Sequence, residues 1–146
     1  MNDKTIRKLN ELGWNDSRKI NIDTIKKKYQ EIGLKVPNNV ELFLMKFGML
    51  KSDFRDKIYF DVEFDPLKAI GINLDAEYFH GCLTDYGIEE DVYPIGVACR
   101  ENLLVLMSKD DIFYCFTDGC LLKVGENVDD MLDCLVGECR EAEEIE

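Results

Sequence analysis

Four cysteines in two pairs, Cys115-x4-Cys120 and Cys134-x4-Cys139, carry the spacing closest to metal chemistry in this chain. Thiolates at such intervals lie at the long edge of what zinc sites use. A two-residue turn at Asp118-Gly119 would pair Thr117 with Cys120 and Cys115 with Leu122. The thiols of Cys115 and Cys120 then sit diagonally on one face of a hairpin, within reach of a shared ion. That face also carries Phe113, Leu122 and Val124, and Cys134 lies beside the apolar stripe of a helix. The four are therefore read as buried core thiols, with no metal and no cofactor expected. His80 and Cys82 could suggest a thiol–imidazole pair. Two positions apart on one helix, however, their side chains do not face each other. His80 is the only histidine, so a second imidazole for a metal site or a proton relay is lacking. Among 30 acidic residues some carboxylate pair is always close, so that spacing does not single out a hydrolase. A phosphate-binding loop, a dinucleotide-binding glycine pattern and a nucleophile elbow are all missing. The expectation is a protein without catalytic residues.

The elements that would position these groups change period once along the chain. Residues Lys4 to Leu12 read as a helix, with Ile6, Leu9 and Leu12 at helical spacing and Gly13 as the stop. Trp14 follows and is read as a core residue. Asn21 caps a second helix from Ile22 to Ile32, and Gly33 stops it. Pro37 opens a third, with Val40, Phe43, Leu44 and Phe47 on its buried face and Gly48 at its end. From Lys57 to Phe64 apolar and polar residues alternate, which predicts a strand. Asp65-Pro66 begins a short helical turn through Ile70. Asp75 to Tyr86 reads as a helix with Tyr78, Phe79, Cys82 and Leu83 inward. Strands are then expected at Tyr93–Ala98, Asn102–Met107, Ile112–Phe116 and Cys120–Val124. Asn127 caps a closing helix that runs through Leu135 to Gly137. The expected fold is α+β: N-terminal helices, a central, mostly antiparallel meander and a closing C-terminal helix. Residues 1–146 are expected to form one domain, with 138–146 a frayed acidic tail.

Charge divides the chain unevenly. Met1 to Gly48 carry a net charge of +4, and Met49 to Glu146 a net charge of −16. The Lys26-Lys27-Lys28 run is read as the solvated back of an amphipathic helix, so direct nucleic-acid binding is not expected. No apolar run is long enough to span a membrane, and from the polar Met1 to Lys8 no N-terminal leader is expected. Six cysteines without a disulfide framework fit a reducing compartment, and the cytoplasm is the expected location. An acidic surface suits a binding protein with a cationic partner. The candidate contacts are Asp85, Glu89, Glu90 and Asp91 between two structured elements, Asp110 and Asp111 at one hairpin tip, and Asp118 at the next.

The order of several short motifs is familiar. Gly13-Trp14 with Arg18 is followed by Phe43 to Leu50, then Phe64-Asp65-Pro66 with Ala69. Tyr93-Pro94-Ile95-Gly96 comes next, and Val124 to Leu132, running into Leu135 to Glu138, closes the set. Taken in order, these resemble the SUKH superfamily, specifically its third bacterial subgroup, over nearly the whole chain. The resemblance implies an immunity protein that binds and neutralises a cognate polymorphic or contact-dependent toxin, such as a nuclease or a deaminase. It implies neither catalysis nor a membrane, and it leaves the oligomeric state open, with a monomer favoured. A non-catalytic interaction scaffold or regulatory adaptor of the same fold is the alternative. Trp14, Phe43, Phe47, Pro66 and Gly96 fit scaffold positions. Met49 stands where the family often has a second glycine, a change expected to alter the turn there.

Overall fold

The computed structural model describes residues 1–52, 61–71, 76–81, 83–117 and 119–145. Three helices come first: α1 (Asp3–Glu11), α2 (Asp23–Glu31) and α3 (Asn38–Phe47). Strands β1 (Lys51–Ser52) and β2 (Val62–Glu63) follow, then the short helices α4 (Pro66–Ile70) and α5 (Ala76–Gly81) and a 3-10 turn, Thr84–Tyr86. The second half is β3 (Val92–Ala98), β4 (Leu103–Ser108), β5 (Phe113–Thr117), β6 (Cys120–Gly125), α6 (Val128–Leu135) and β7 (Glu143–Ile145). The seven strands among the described residues form one sheet in sequence order, and every neighbouring pair is antiparallel. The expected α+β meander with a closing helix is the architecture found.

Local chemistry explains the element ends. Asn2, Asp65 and Asn127 each accept a backbone N–H at a helix start, satisfying donors that have no intrahelical partner. Asn21 acts one position earlier than a formal cap, accepting from the Asp23 amide at 2.8 Å. At the other end of α3, the Arg18 guanidinium donates to the carbonyls of Lys46 and Gly48, both at 2.8 Å. A cation there satisfies the last carbonyls and complements the helix dipole.

The sheet is covered on both faces. Side chains alternate along β5, so Phe113, Cys115 and Thr117 point one way and Tyr114 and Phe116 the other. The Phe113 ring meets Phe43 of α3 at 5.6 Å, whereas Phe116 meets Tyr86 of the 3-10 turn at 6.0 Å. β3, in the middle of the sheet, is buried at every position. The apolar cluster joins Trp14, Tyr29, Phe43, Phe47, Phe64, Phe79 and Phe113 to the inner residues of β3 to β6 and to Met131, Leu132 and Leu135 of α6. Tyr29 donates its hydroxyl to the Pro94 carbonyl, which ties α2 to the sheet. Burial pushes that hydroxyl's pKa far above its ordinary value.

Two expectations change. The acidic tail, read as frayed, places Glu143–Ile145 as β7 along β6, with Leu121 opposite Ile145 and Lys123 opposite Glu143. An unpaired β6 edge offers backbone partners, and Lys123 faces an acid across the pair, so pairing holds a segment of low strand propensity. The helix expected from Asp75 to Tyr86 is broken into α5 and the 3-10 turn. Phe79 and Leu83 are buried as expected, and Cys82 lies outside the described residues. Met49 adopts φ 65°, the left-handed region that glycine enters without steric cost. Of the strand expected from Lys57 to Phe64, only the last residues are described, and Val62–Glu63 form β2.

Gly96 shows why one scaffold position must stay small. A Cβ there would run into the Glu63 carbonyl oxygen and come within 2.9 Å of the Phe64 Cα, all backbone that cannot rotate away. Gly96→Ala should therefore destabilise the protein by about 3 kcal/mol, an overpacking cost at the upper end of the usual range. A urea titration of both proteins, followed by circular dichroism, checks this.

Candidate partner-binding surface

The register places Thr117 opposite Cys120 and Cys115 opposite Leu122, as the sequence predicts. Of the four thiols read as core, Cys115 and Cys134 are buried, whereas Cys120, at the hairpin end of β6, is half-buried and Cys139, beyond α6, is exposed. The Cys115 thiol pKa is pushed well above the ordinary value, chiefly by desolvation and then by the neighbouring Cys134, Cys99 and Cys120. Burial pushes Cys134 up to about 11. With no ion beside them, thiols so disfavoured as thiolates are poor nucleophiles. Among the described residues, no three His, Cys, Asp or Glu side chains are grouped to hold an ion.

The predicted acidic contacts separate into groups. Val92 pairs with Ser108, and Phe113 with Gly125. The chain just before β3, the β4–β5 turn and the start of α6 therefore emerge at one end of the sheet. This end gathers Asp91, Asp110 and Asp111, with Glu90 one residue further back. Asp110 and Asp111 are exposed, and Glu90 and Asp91 are half-buried. Asp85 and Glu89 are also exposed, but Asp85 belongs to the 3-10 turn on the face opposite α3. The Thr117–Cys120 pair closes the opposite end of β5, and Asp118 lies outside the described residues.

The β4–β5 turn is held firmly. The buried Ser108 Oγ accepts from the amides of Asp110 and Ile112, both at 3.2 Å. The Asn39 amide of α3 donates to the Ser108 carbonyl at 3.1 Å and to the Asp111 carboxylate at 2.8 Å. One side chain thus clamps the first turn of α3 to the acidic hairpin tip. Asp111 itself has φ 66°, a conformation aspartate tolerates better than most residues.

Beside this turn runs a shallow groove that sequence reasoning did not find. It is lined by Asn39, Leu42, Phe43, Lys46 and Phe47 of α3, by Met107 and Asp111, and by Met1, Val128 and Asp129. Leu42 is 61 % exposed, the most exposed large apolar side chain among the described residues. Its neighbour Phe43 is buried against Phe47, Phe64 and Phe113. The rim carries Asp111 and Asp129 against Lys46, whose ammonium lies 5.7 Å from the Trp14 ring centre, and against the N-terminal ammonium of Met1, 3.4 Å from the Asp129 carboxylate. Further acids at this end are already paired: Glu126 with Lys123 at 2.9 Å and Asp130 with Arg140 at 2.7 Å. In the sequence, Leu42 falls off the buried stripe of its helix, but only the packing shows how far it is exposed and what lies beside it.

The expected scaffold residues are buried, including Trp14, which stacks on Phe47 with ring centres 5.6 Å apart. Lys27 is exposed, and Lys26 and Lys28 are half-buried, with Lys28 3.7 Å from Glu31. The lysine run is the outer face of α2, as expected.

A family model described as SUKH-3 immunity protein matches residues 1–138. The chain belongs to the SUKH-3 immunity protein family. No curated protein and no solved structure matches it. No helix among the described residues is long and apolar enough to cross a membrane.

Two outcomes test this geometry. Ser108→Ala removes the acceptor of two turn amides and should cost about 1–3 kcal/mol, the usual penalty for stranding buried polar groups. Hydrogen exchange should then speed up at the Asp110 and Ile112 amides while remaining slow in β5. In the native protein at pH 8, iodoacetamide should modify the exposed Cys139 and leave Cys115 and Cys134 intact until denaturant is added.

Proposed function

We propose that this protein neutralises a cognate toxin by binding it directly, as a stoichiometric inhibitor without catalysis. Family membership over residues 1–138 is the observation that carries the immunity role. The mechanism follows from charge. The chain carries a net charge of −12, and its acidic excess lies in the sheet half. A toxin domain that acts on nucleic acid must be basic where it holds phosphate. Asp91, Asp110 and Asp111, fixed at one end of the sheet, offer such a surface a rigid negative counterpart, with Glu90 beside them. Asp85 and Glu89 extend the negative field along the approach to β3, and Asp118 adds to the acids of the sheet half. Opposite fields raise the rate of encounter well above that of neutral partners. The toxin's active cleft is then covered rather than chemically altered. The cytoplasm is where such a protein would meet an incoming toxin.

The test is co-expression with the toxin encoded beside this gene, followed by stopped-flow association of the purified pair. Cells should survive only when both proteins are made. The association rate should fall about tenfold or more from low to physiological ionic strength, because the Debye length shrinks to about 8 Å. Cell death despite co-expression would sink the immunity role. A rate that changes less than twofold with salt would sink the steering mechanism alone.

A further inference from the structure

We infer that the groove between α3 and the start of α6 is where the toxin is anchored, and that its occupant is an apolar side chain flanked by lysine or arginine. This inference rests on the immunity reading and gives it a location. Leu42 is the first observation. A leucine left 61 % exposed, next to the buried Phe43, keeps most of its apolar surface in water. It shares the groove lining with the half-buried Val128, above the buried Phe43, Phe47 and Met107. Apolar floors with polar rims are the usual form of an interface centre, where a few side chains carry most of the binding energy.

The rim selects the occupant. Asp129 is taken up by the N-terminal ammonium of Met1 at 3.4 Å, which leaves Asp111, with Asp110 beside it at the same turn, as the acids that face a partner against Lys46. The Lys46 ammonium also lies 5.9 Å from the Phe47 ring centre, over the aromatic floor rather than out among the carboxylates. A second copy of this chain would bring the same acids face to face, so self-association through the groove is disfavoured. A basic partner meets the opposite: carboxylates placed to pair with its cations, and a floor to take the apolar side chain between them. The Asn39 clamp fixes Asp111 before binding, so little side-chain entropy is lost when the pair forms.

The experiment measures binding of the purified toxin domain encoded beside this gene to four proteins: wild type, Leu42→Ala, Asp110→Asn/Asp111→Asn and Leu67→Ala. Leu67, on α4, is 37 % exposed and serves as the control for losing an apolar surface side chain elsewhere. Urea titrations of all four should superimpose, because none of these side chains is buried. Leu42→Ala should weaken binding about tenfold or more, chiefly by faster dissociation. The double variant should slow association and flatten its salt dependence. Leu67→Ala should stay within twofold of wild type. If wild type binds and every variant binds within twofold of it, the groove is not the anchor, and the immunity role stands. If wild type fails to bind, both fall. If Leu42→Ala instead dissolves a dimer seen by sedimentation, the groove is a self-interface and the inference is overturned.

Discussion

The Phe43 ring is the contact on which the arrangement turns. It stacks on Phe47 at 5.3 Å, meets Phe64 edge-on at 5.4 Å and leans on Phe113 at 5.6 Å. One side chain therefore links its own helix, the segment after β2 and the start of β5. Trp14 extends the stack through Phe47 and brings in the chain after α1. Aromatic pairs in such geometries add about 0.5–1.5 kcal/mol each beyond the area they bury. Seating Phe43 inward also fixes what faces outward. Leu42 precedes it by one position, about 100° around the helix, and is carried onto the surface. The core contact and the exposed groove are two consequences of one helix orientation.

Charge adds a second layer to this frame. The meander brings three chain segments to one end of the sheet, and two of them are rich in aspartate. Most acids of the closing helix are held in local pairs, as Asp130 is by Arg140 and as Asp133 is by its hydrogen bonds from Thr5 and the Asn2 amide. Burial alone would raise the Asp133 pKa, but those two donors and the nearby positive charges outweigh it and hold it below the ordinary carboxylate value. Asp110 and Asp111 differ from these. Their turn is braced by Ser108 and Asn39, yet their carboxylates lie at the surface. Rigid backbone with outward charge favours fast encounter and a defined docked geometry.

Much of the fold was legible in the sequence because its elements obey simple periods. The stripe Val40, Phe43, Leu44 and Phe47, the caps at Asp65 and Asn127 and the four central strands all follow from side-chain spacing and turn chemistry. The register around Thr117 and Cys120 followed from a two-residue turn alone. What escaped was set by tertiary context. Glu143–Ile145 has neither alternation nor strong strand propensity and becomes a strand only because β6 offers an edge. The break after α5 and the left-handed Met49 run against local preference and depend on what surrounds them. The acidic candidates were individually visible, but whether Asp110 lies near Asp91 or Asp85 is a question of topology. Leu42 was left off the buried stripe by its spacing, but that spacing could not show how exposed it is or which acids stand beside it.

The most direct measurement is amide hydrogen exchange of this protein, alone and saturated with its cognate toxin domain. Binding at the acidic end of the sheet predicts new protection concentrated in residues 39–47 and 108–112 and at the first turn of α6, with α2 and α4 unchanged. Protection confined to α2 and α4, with 39–47 and 108–112 exchanging as in the free protein, would contradict the account.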